Sequence, residues 1–279
     1  MRIDFLKILI MCSLAFLSLD CFGIEGFKTL MDAPPPAVSS AYNSVFMLFI
    51  EDADSYIHGS AFLVHVEVGA NSTQLYFMTG KHVLQEHCQK IGYCPELKLY
   101  QDAQMQVFSS GEDFVYGRPN INQVEVIKLS QNPNLVLLKA SVKNNLIANP
   151  KALSISKSCE MSSGETLFAV GFPKVAVRVA KGSLPIPQQN KILKRWSQGV
   201  FVGDFTQGVS KFLGTSVDTL PGNSGGPLLN ASGEVVGVVD LSASLVENQY
   251  LYSGSETPGR LDAQSLVIPC DYLQVFITH

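Results

Sequence analysis

The chain has 279 residues, of which 46% are hydrophobic and 16% charged, and its formal net charge is −4. This composition is typical of a folded globular chain, and the length suffices for a large core in one or two domains. The acidic balance, without a basic stripe that carries aromatic residues, disfavours nucleic-acid binding. No cysteine–histidine spacing resembles a zinc site, so we expect neither a metal nor another cofactor.

The first 23 residues have the pattern of a signal peptide. Arg2 and Lys7 flank its start, an almost wholly apolar stretch follows, and cleavage after Gly23 fits the small residues required there. A lipid attached to Cys21 is the alternative, which Asp20 before it disfavours. We therefore predict a secreted or periplasmic protein that is not stably inserted in a membrane.

Cysteine usage fits this export, because disulfides form in oxidising compartments. Four cysteines follow the predicted cleavage point, and four cysteines allow three pairings. Cys88 with Cys94 closes a small loop, and Cys159 with Cys270 then ties the tail to the second half of the chain. The alternative is a set of free, buried thiols.

Short apolar or alternating runs separated by Gly, Asn and Pro dominate the chain after its first 41 residues, which favours an all-β sandwich or barrel. A helix is predicted only at the tail, opened by Pro269. The predicted strands are Val45 to Ile50, Ala61 to Val66, Gln74 to Met78, Leu97 to Tyr100, Val124 to Leu129, Leu135 to Ala140, Thr166 to Val170, Ala176 to Ala180, Gly199 to Val202, Pro227 to Leu229 and Val235 to Val239.

The strands form two sets, and the break between them falls between about Ser141 and Ser158. We predict a leader or linker over residues 24–41, a first β-domain over 42–145 and a second over 146–279, with the terminal helix in the second.

The segment 222–227 reads Gly-Asn-Ser-Gly-Gly-Pro and carries the strongest chemical signal. Glycine allows backbone angles closed to other residues, so this segment can form a tight turn that presents the Ser224 hydroxyl beside several backbone N–H groups. A serine nucleophile for acyl transfer needs an exposed Oγ and donors for the developing oxyanion. The alternative is an ordinary loop between two strands.

A serine nucleophile also needs a base, and His82 has the most suitable context of the five histidines. It follows a predicted strand and the small residues Thr79 and Gly80, so it can face a cleft. The alternative is a structural histidine.

Three segments occur in an order that resembles the catalytic blocks of trypsin-like, chymotrypsin-fold serine peptidases. They are Thr-Gly-Lys-His-Val over 79–83, Asn-Leu-Val-Leu-Leu-Lys over 134–139 and the serine segment over 222–227. The serine segment resembles most the bacterial branch that includes periplasmic heat-shock proteases and glutamyl endopeptidases. The resemblance spans roughly residues 42–279, and it implies two antiparallel β-barrels with an active site in the cleft between them.

The resemblance also implies roles for single residues. Ser224 attacks the scissile carbonyl of a peptide or protein substrate, His82 accepts its proton, and the N–H groups of Gly222 and Ser224 form the oxyanion hole. Asn223 replaces the aspartate with which digestive members bind a newly cut N-terminus, so activation by that cleavage is not expected. Oligomeric state does not follow from the sequence.

Asn134 departs from the family pattern, which has an aspartate there to orient the histidine. In serine proteases, that change of aspartate to asparagine costs about 10⁴ in rate, or roughly 5.5 kcal/mol of transition-state stabilisation. One reading is a weak enzyme in which the Asn134 amide oxygen accepts the His82 N–H. A second is an inactive pseudopeptidase that binds peptides or proteins.

A third reading concerns Asp240. Alignment of residues 236–240 with the strand that follows the family's serine places Asp240 where a serine or threonine usually contacts the triad aspartate. Asp240 could therefore lie beside Asn134 and His82 and supply the missing charge from the other barrel. The alternative is a carboxylate at a strand end that faces water.

Asp218 bears on specificity because it lies six residues before Ser224. In trypsin-type members an aspartate at this offset selects Arg or Lys in the primary pocket. The local sequence also resembles a bacterial pattern in which this aspartate is structural.

Overall fold

The computed structural model describes residues 33–51, 55–84, 96–101, 121, 123–130, 133–144, 147, 149–173, 178–180, 194–207, 210–242 and 265–278. The predicted signal peptide, and Cys88 and Cys94, lie outside these residues. The strands are Val45–Glu51 (β1), Ser55–Val68 (β2), Ser72–Gly80 (β3), Leu97–Tyr100 (β4), Val124–Leu129 (β5), Leu135–Lys143 (β6), Thr166–Gly171 (β7), Arg178–Ala180 (β8), Arg195–Gln207 (β9), Ser210–Thr215 (β10), Pro227–Asn230 (β11), Val235–Ser242 (β12) and Ser265–Pro269 (β13); the helices are Pro36–Ala41 (α1) and Cys270–Thr278 (α2).

The strands form two antiparallel units, and the all-β fold with a C-terminal helix is confirmed. In the described part of the chain, the first unit is an open sheet in the order β4-β1-β2-β3-β6-β5, with β8 also paired to β2. The second unit is a closed barrel in the order β10-β13-β12-β11-β7-β9. Together they make a chymotrypsin-like double-barrel architecture.

Strand β1 shows how the two units share a core. Its side chains alternate between the faces of the sheet, as they must in a pleated strand. Phe46 and Leu48 pack into the core of the first sheet, whereas Met47 and Phe49 join a second cluster. Because both faces are covered, β1 is a continuous apolar run rather than an alternating one.

That second cluster joins the two units. It combines Phe62 and Met78 of the first sheet with Phe168 and Leu229 of the barrel, all at most 5% exposed. A further cluster that includes Leu167 lies within the barrel. The two units therefore pack together through this cluster, and β12 of the barrel contacts β3 of the first sheet.

Strand β8 lies between two barrel strands in the chain, but it pairs with the first sheet. The prediction placed residues 176–180 among the strands of the second half, but Arg178–Ala180 is hydrogen-bonded to residues 55–57 of β2 in the first sheet. Strands β10 and β13 and helix α1 were not predicted.

The segment before β1 packs on the barrel. Helix α1, within the predicted leader, buries Ala37, Val38 and Ala41. The Tyr42 hydroxyl donates to the carbonyl of Lys194 at 2.7 Å, and Lys194 Nζ donates to the carbonyl of Tyr42 at 2.8 Å.

Helix α2 is joined to the loop before β7 by a Cys159–Cys270 disulfide. Among the described residues, no helix is long and apolar enough to cross a membrane.

Candidate active site

Ser224 lies at the tip of a glycine turn between β10 and β11. Gly222 and Gly225 have φ of +101° and +82°, a conformation that favours glycine. The turn is closed by the Asn223 N–H, which donates to the Leu220 carbonyl, and by the Gly226 N–H, which donates to the Asn223 carbonyl, both at 2.9 Å. Ser224 is half-buried, and its Oγ donates to the Asp240 carbonyl at 3.3 Å.

His82 follows the end of β3, in a helical turn over residues 81–84. The Lys81 N–H donates to the Asn134 carbonyl at 2.9 Å, which fixes this turn beside the start of β6. A Cβ at Gly80 would approach His82 Cε1 to 3.2 Å, so a larger residue there would push on the imidazole ring. The His82 side chain is 36% exposed, which leaves part of the ring accessible from solvent.

Asn134 and Asp240 meet at the Nδ1 atom of His82. Asn134 Nδ2 lies 2.6 Å from His82 Nδ1 and donates to Asp240 Oδ1, also at 2.6 Å. Asp240 Oδ1 is itself 3.0 Å from His82 Nδ1. The Asp240 side chain is only 6% exposed, so this carboxylate faces the histidine and the asparagine rather than water.

The carboxylate bears directly on the histidine tautomer. With a proton on Nδ1, His82 donates to a charged acceptor, and charge-assisted hydrogen bonds are about twice as strong as neutral ones. Without that proton, a nitrogen lone pair faces the carboxylate at 3.0 Å. The Nδ1-protonated tautomer leaves Nε2 free to accept a proton, as a general base for serine must.

Asp218 lies on the chain before the turn. It is half-buried, and its carbonyl accepts a hydrogen bond from Ser197 Oγ of β9 at 2.7 Å. The structure thus brings His82, Asn134, Ser224 and Asp240 together, whereas Asp218 belongs to the segment that leads into the turn.

Ser60 contacts this site and was not selected from the sequence. It is fully buried in β2, and its N–H donates to the Ser224 carbonyl at 2.9 Å. Its Oγ donates to the Gly222 carbonyl at 2.7 Å. The sequence offered little to single it out, because β2 also contains His58, His65 and Glu67.

Among the residues that the structure describes, no group of three His, Cys, Asp or Glu side chains is placed to hold a metal ion.

Comparisons with known proteins bear on the family and the fold of the chain. A family model described as a trypsin-like peptidase domain matches residues 59–238. The chain is also 34% identical over 116 residues to a protein named serine protease Do-like HtrB, from Bacillus subtilis (strain 168). That match covers 40% of this chain and 22% of the relative, so the two share only a segment.

Solved structures show the same fold. An HtrA-type protease, AlgW, with a tripeptide matches with a TM-score of 0.54 at 18% identity, over 87% of this chain and 61% of that chain. An inactive variant of Rv3671c from M. tuberculosis H37Rv matches with a TM-score of 0.52 at 15% identity, over 88% of this chain and 90% of that chain.

Proposed function

We propose that this chain, which belongs to the family of trypsin-like peptidase domains, is a serine endopeptidase whose orienting acid is Asp240. The observation that carries this proposal is the buried Asp240 carboxylate, 3.0 Å from His82 Nδ1 and hydrogen-bonded to Asn134. The missing aspartate at position 134 is thereby replaced by a carboxylate from the other barrel.

The reaction would proceed through an acyl-enzyme. The Ser224 hydroxyl turns from the Asp240 carbonyl to His82 Nε2, loses its proton to that nitrogen and attacks the scissile carbonyl carbon. The N–H groups of Gly222 and Ser224 stabilise the oxyanion. The C–N bond then breaks as His82 returns the proton to the leaving amine, and water hydrolyses the ester with His82 again as base.

Asp240 performs two tasks in this scheme. It selects the tautomer of His82 with Nε2 unprotonated, and its charge stabilises the imidazolium that forms in the transition state. Asn134 cannot supply the charge, but its amide donates to Asp240 Oδ1 at 2.6 Å and holds the carboxylate in place. A carboxylate buried to this extent needs such partners.

A second candidate function, a pseudopeptidase that binds peptides without cutting them, is favoured by one distance. Asn134 Nδ2 is 2.6 Å from His82 Nδ1, and an amide that donates to Nδ1 would place the ring proton on Nε2. That tautomer cannot accept the proton of Ser224. The two candidates therefore differ in the hydrogen bond at His82 Nδ1: in the peptidase, Nδ1–H donates to the Asp240 carboxylate, and in the pseudopeptidase, Nδ1 accepts from the Asn134 amide.

Export is part of the proposal. The Cys159–Cys270 disulfide supports a secreted or periplasmic location, because such bonds persist mainly in oxidising compartments.

Natural substrates would be peptides or proteins. The role of Asp218 can be tested with a panel of peptides that vary at the residue before the cleaved bond. If the enzyme shows no preference for Arg or Lys there, Asp218 does not line a pocket that selects basic residues.

The deciding experiment is intact-mass labelling of the full chain with a fluorophosphonate, with Ser224→Ala as the control. The probe needs an activated serine and a formed oxyanion hole. We expect one adduct that is absent from the control. A folded wild-type protein that stays unlabelled, yet binds peptides, would instead establish the pseudopeptidase.

A further inference from the structure

We infer that Ser60 is a positioning residue that fixes the oxyanion turn from the first sheet. The inference rests on the proposed function and deepens it, because it assigns to one side chain the placement of the two proposed oxyanion donors. Ser60 does not reach the reacting atoms itself, so its effect passes through the backbone of Gly222 and Ser224.

Every polar atom of Ser60 is engaged. Its N–H donates to the Ser224 carbonyl at 2.9 Å, and its Oγ donates to the Gly222 carbonyl at 2.7 Å. The same Oγ accepts the Phe172 N–H at 3.0 Å, and the Ser60 carbonyl accepts Thr79 Oγ at 2.7 Å. One residue of β2 is therefore bonded to both residues whose N–H groups would hold the oxyanion.

Among the described residues, the other backbone hydrogen bonds of the turn come from its own unit. The Asn223 and Gly226 N–H groups bond within residues 220–226, and the Gly225 N–H donates to Val239 of β12. Those bonds shape the turn, but they do not fix it relative to the sheet that carries His82. The bonds from Ser60 link the turn to β2, which pairs with β3 ahead of His82.

Glycines around Ser60 show how closely the turn approaches it. A Cβ at Gly171 would lie 2.7 Å from Ser60 Oγ, and a Cβ at Gly225 would lie 2.3 Å from the Ser60 carbonyl oxygen. A Cβ at Gly226 would lie 3.2 Å from Ser60 Cβ. Three glycines thus leave room for a serine at position 60, and its hydroxyl makes bonds that a glycine or alanine there could not make.

The expected effect of losing this hydroxyl is on the rate rather than on substrate binding. Oxyanion donors act only on the charge that develops in the transition state, so their displacement lowers kcat and leaves KM nearly unchanged. Deleting one donor costs about 10²–10³ in kcat, and we expect about tenfold to a hundredfold for donors that are displaced rather than lost.

The test compares Ser60→Ala with Ser44→Ala in the full chain. Ser44 is a matched control, because it is 2% exposed and its Oγ also donates to a backbone carbonyl, that of Lys151, at 2.6 Å. We would measure amide hydrogen exchange over residues 221–226, the rate of fluorophosphonate labelling, and kcat and KM for a peptide substrate. We expect faster exchange and lower kcat and labelling rate in Ser60→Ala alone, with KM within about twofold since ground-state binding is not changed.

Three outcomes separate the two proposals. Exchange over 221–226 that is the same in both variants overturns the role of Ser60, whatever the enzyme does. Faster exchange with no loss of labelling rate also overturns it, because the turn would then tolerate the displacement. A wild-type protein that does not react, with exchange raised only in Ser60→Ala, refutes the peptidase proposal while the anchoring of the turn by Ser60 stands.

Discussion

The turn around Ser224 and the cluster around His82 Nδ1 are built in opposite ways. The turn takes most of its shape from residues 220–226, which include two glycines with positive φ and two hydrogen bonds that close it. The cluster joins His82, Asn134 and Asp240, which follow β3, precede β6 and lie in β12. The first is a local device, whereas the second exists only after the two units have packed together. On the proposed function, the carboxylate beside the imidazole comes from the second unit although the family pattern places it in the first, so its position in space matters more than its position in the chain.

The substitution with the largest expected effect on activity is Asp240→Asn, which removes the charge from the cluster. It keeps the size of the side chain and removes the charge, so we expect kcat/KM to fall about 10⁴-fold, as it does when a protease loses its orienting carboxylate. Peptide hydrolysis by purified protein measures it. Asp204→Asn is the matched control, because Asp204 is exposed on β9. A loss below tenfold would remove Asp240 from the mechanism.

Moving the charge back sharpens the comparison. In the double variant Asn134→Asp, Asp240→Asn, the carboxylate stands at the position that the family uses, and we expect at least about a hundredfold recovery over Asp240→Asn alone, since the imidazolium regains a charged partner. The two single variants and the double variant form a cycle that measures the coupling. Activities that simply multiply would show that the two positions act independently.

Asn134→Asp alone has a smaller expected effect. Its carboxylate would approach Asp240, whose Oδ1 is now 2.6 Å from Asn134 Nδ2, and two carboxylates so close cannot both ionise. The site would hold one ionised carboxylate beside His82 both before and after the substitution, so we expect kcat/KM to change by less than about tenfold. A gain of several hundredfold would mean that the native site lacks an acid.

The smallest effect on the reaction should come from the disulfide, whose sulfur atoms contact Ser156 and Gln274 rather than residues of the turn or the cluster. Cys159→Ser with Cys270→Ser should lower the free energy of unfolding by about 2–4 kcal/mol, measured by urea denaturation. The kcat/KM of the folded variant should stay within about twofold, because neither the turn nor the cluster uses this bond. A large catalytic loss would connect helix α2 to the site.

The contrast also explains what the sequence could predict. Glycine and proline at fixed offsets signal a turn directly, so the environment of Ser224 was accessible from local chemistry. The proximity of Asp240 to Asn134 has no local signal, because 106 residues separate them, and it was raised only by alignment with a family pattern. Ser60 was missed for the same reason, since the partners of its hydroxyl, Gly222 and Phe172, lie more than 100 residues away.

The missed strands have physical explanations. Strand β13 is short and buried at every position, so it lacks the alternation that marks a half-exposed strand. The sequence also predicts a helix that begins at Pro269, which is the last residue of this strand. Helix α1 has only six residues, too few for a recognisable helical period, and it is stabilised by packing of its buried Ala37, Val38 and Ala41. The pairing of β8 with β2 depends on tertiary packing, which no local pattern encodes.

The exchange of parts between the units has a consequence for folding. Strand β8, from the second half of the chain, pairs with β2 of the first sheet. Tyr42, which precedes the first sheet, exchanges two hydrogen bonds with Lys194, directly before β9 of the barrel. Neither half holds all of its partners alone, so we expect both to melt in one calorimetric transition. A partly unfolded chain would then lack the proposed catalytic arrangement, because His82 belongs to the first unit whereas Ser224 and Asp240 belong to the second.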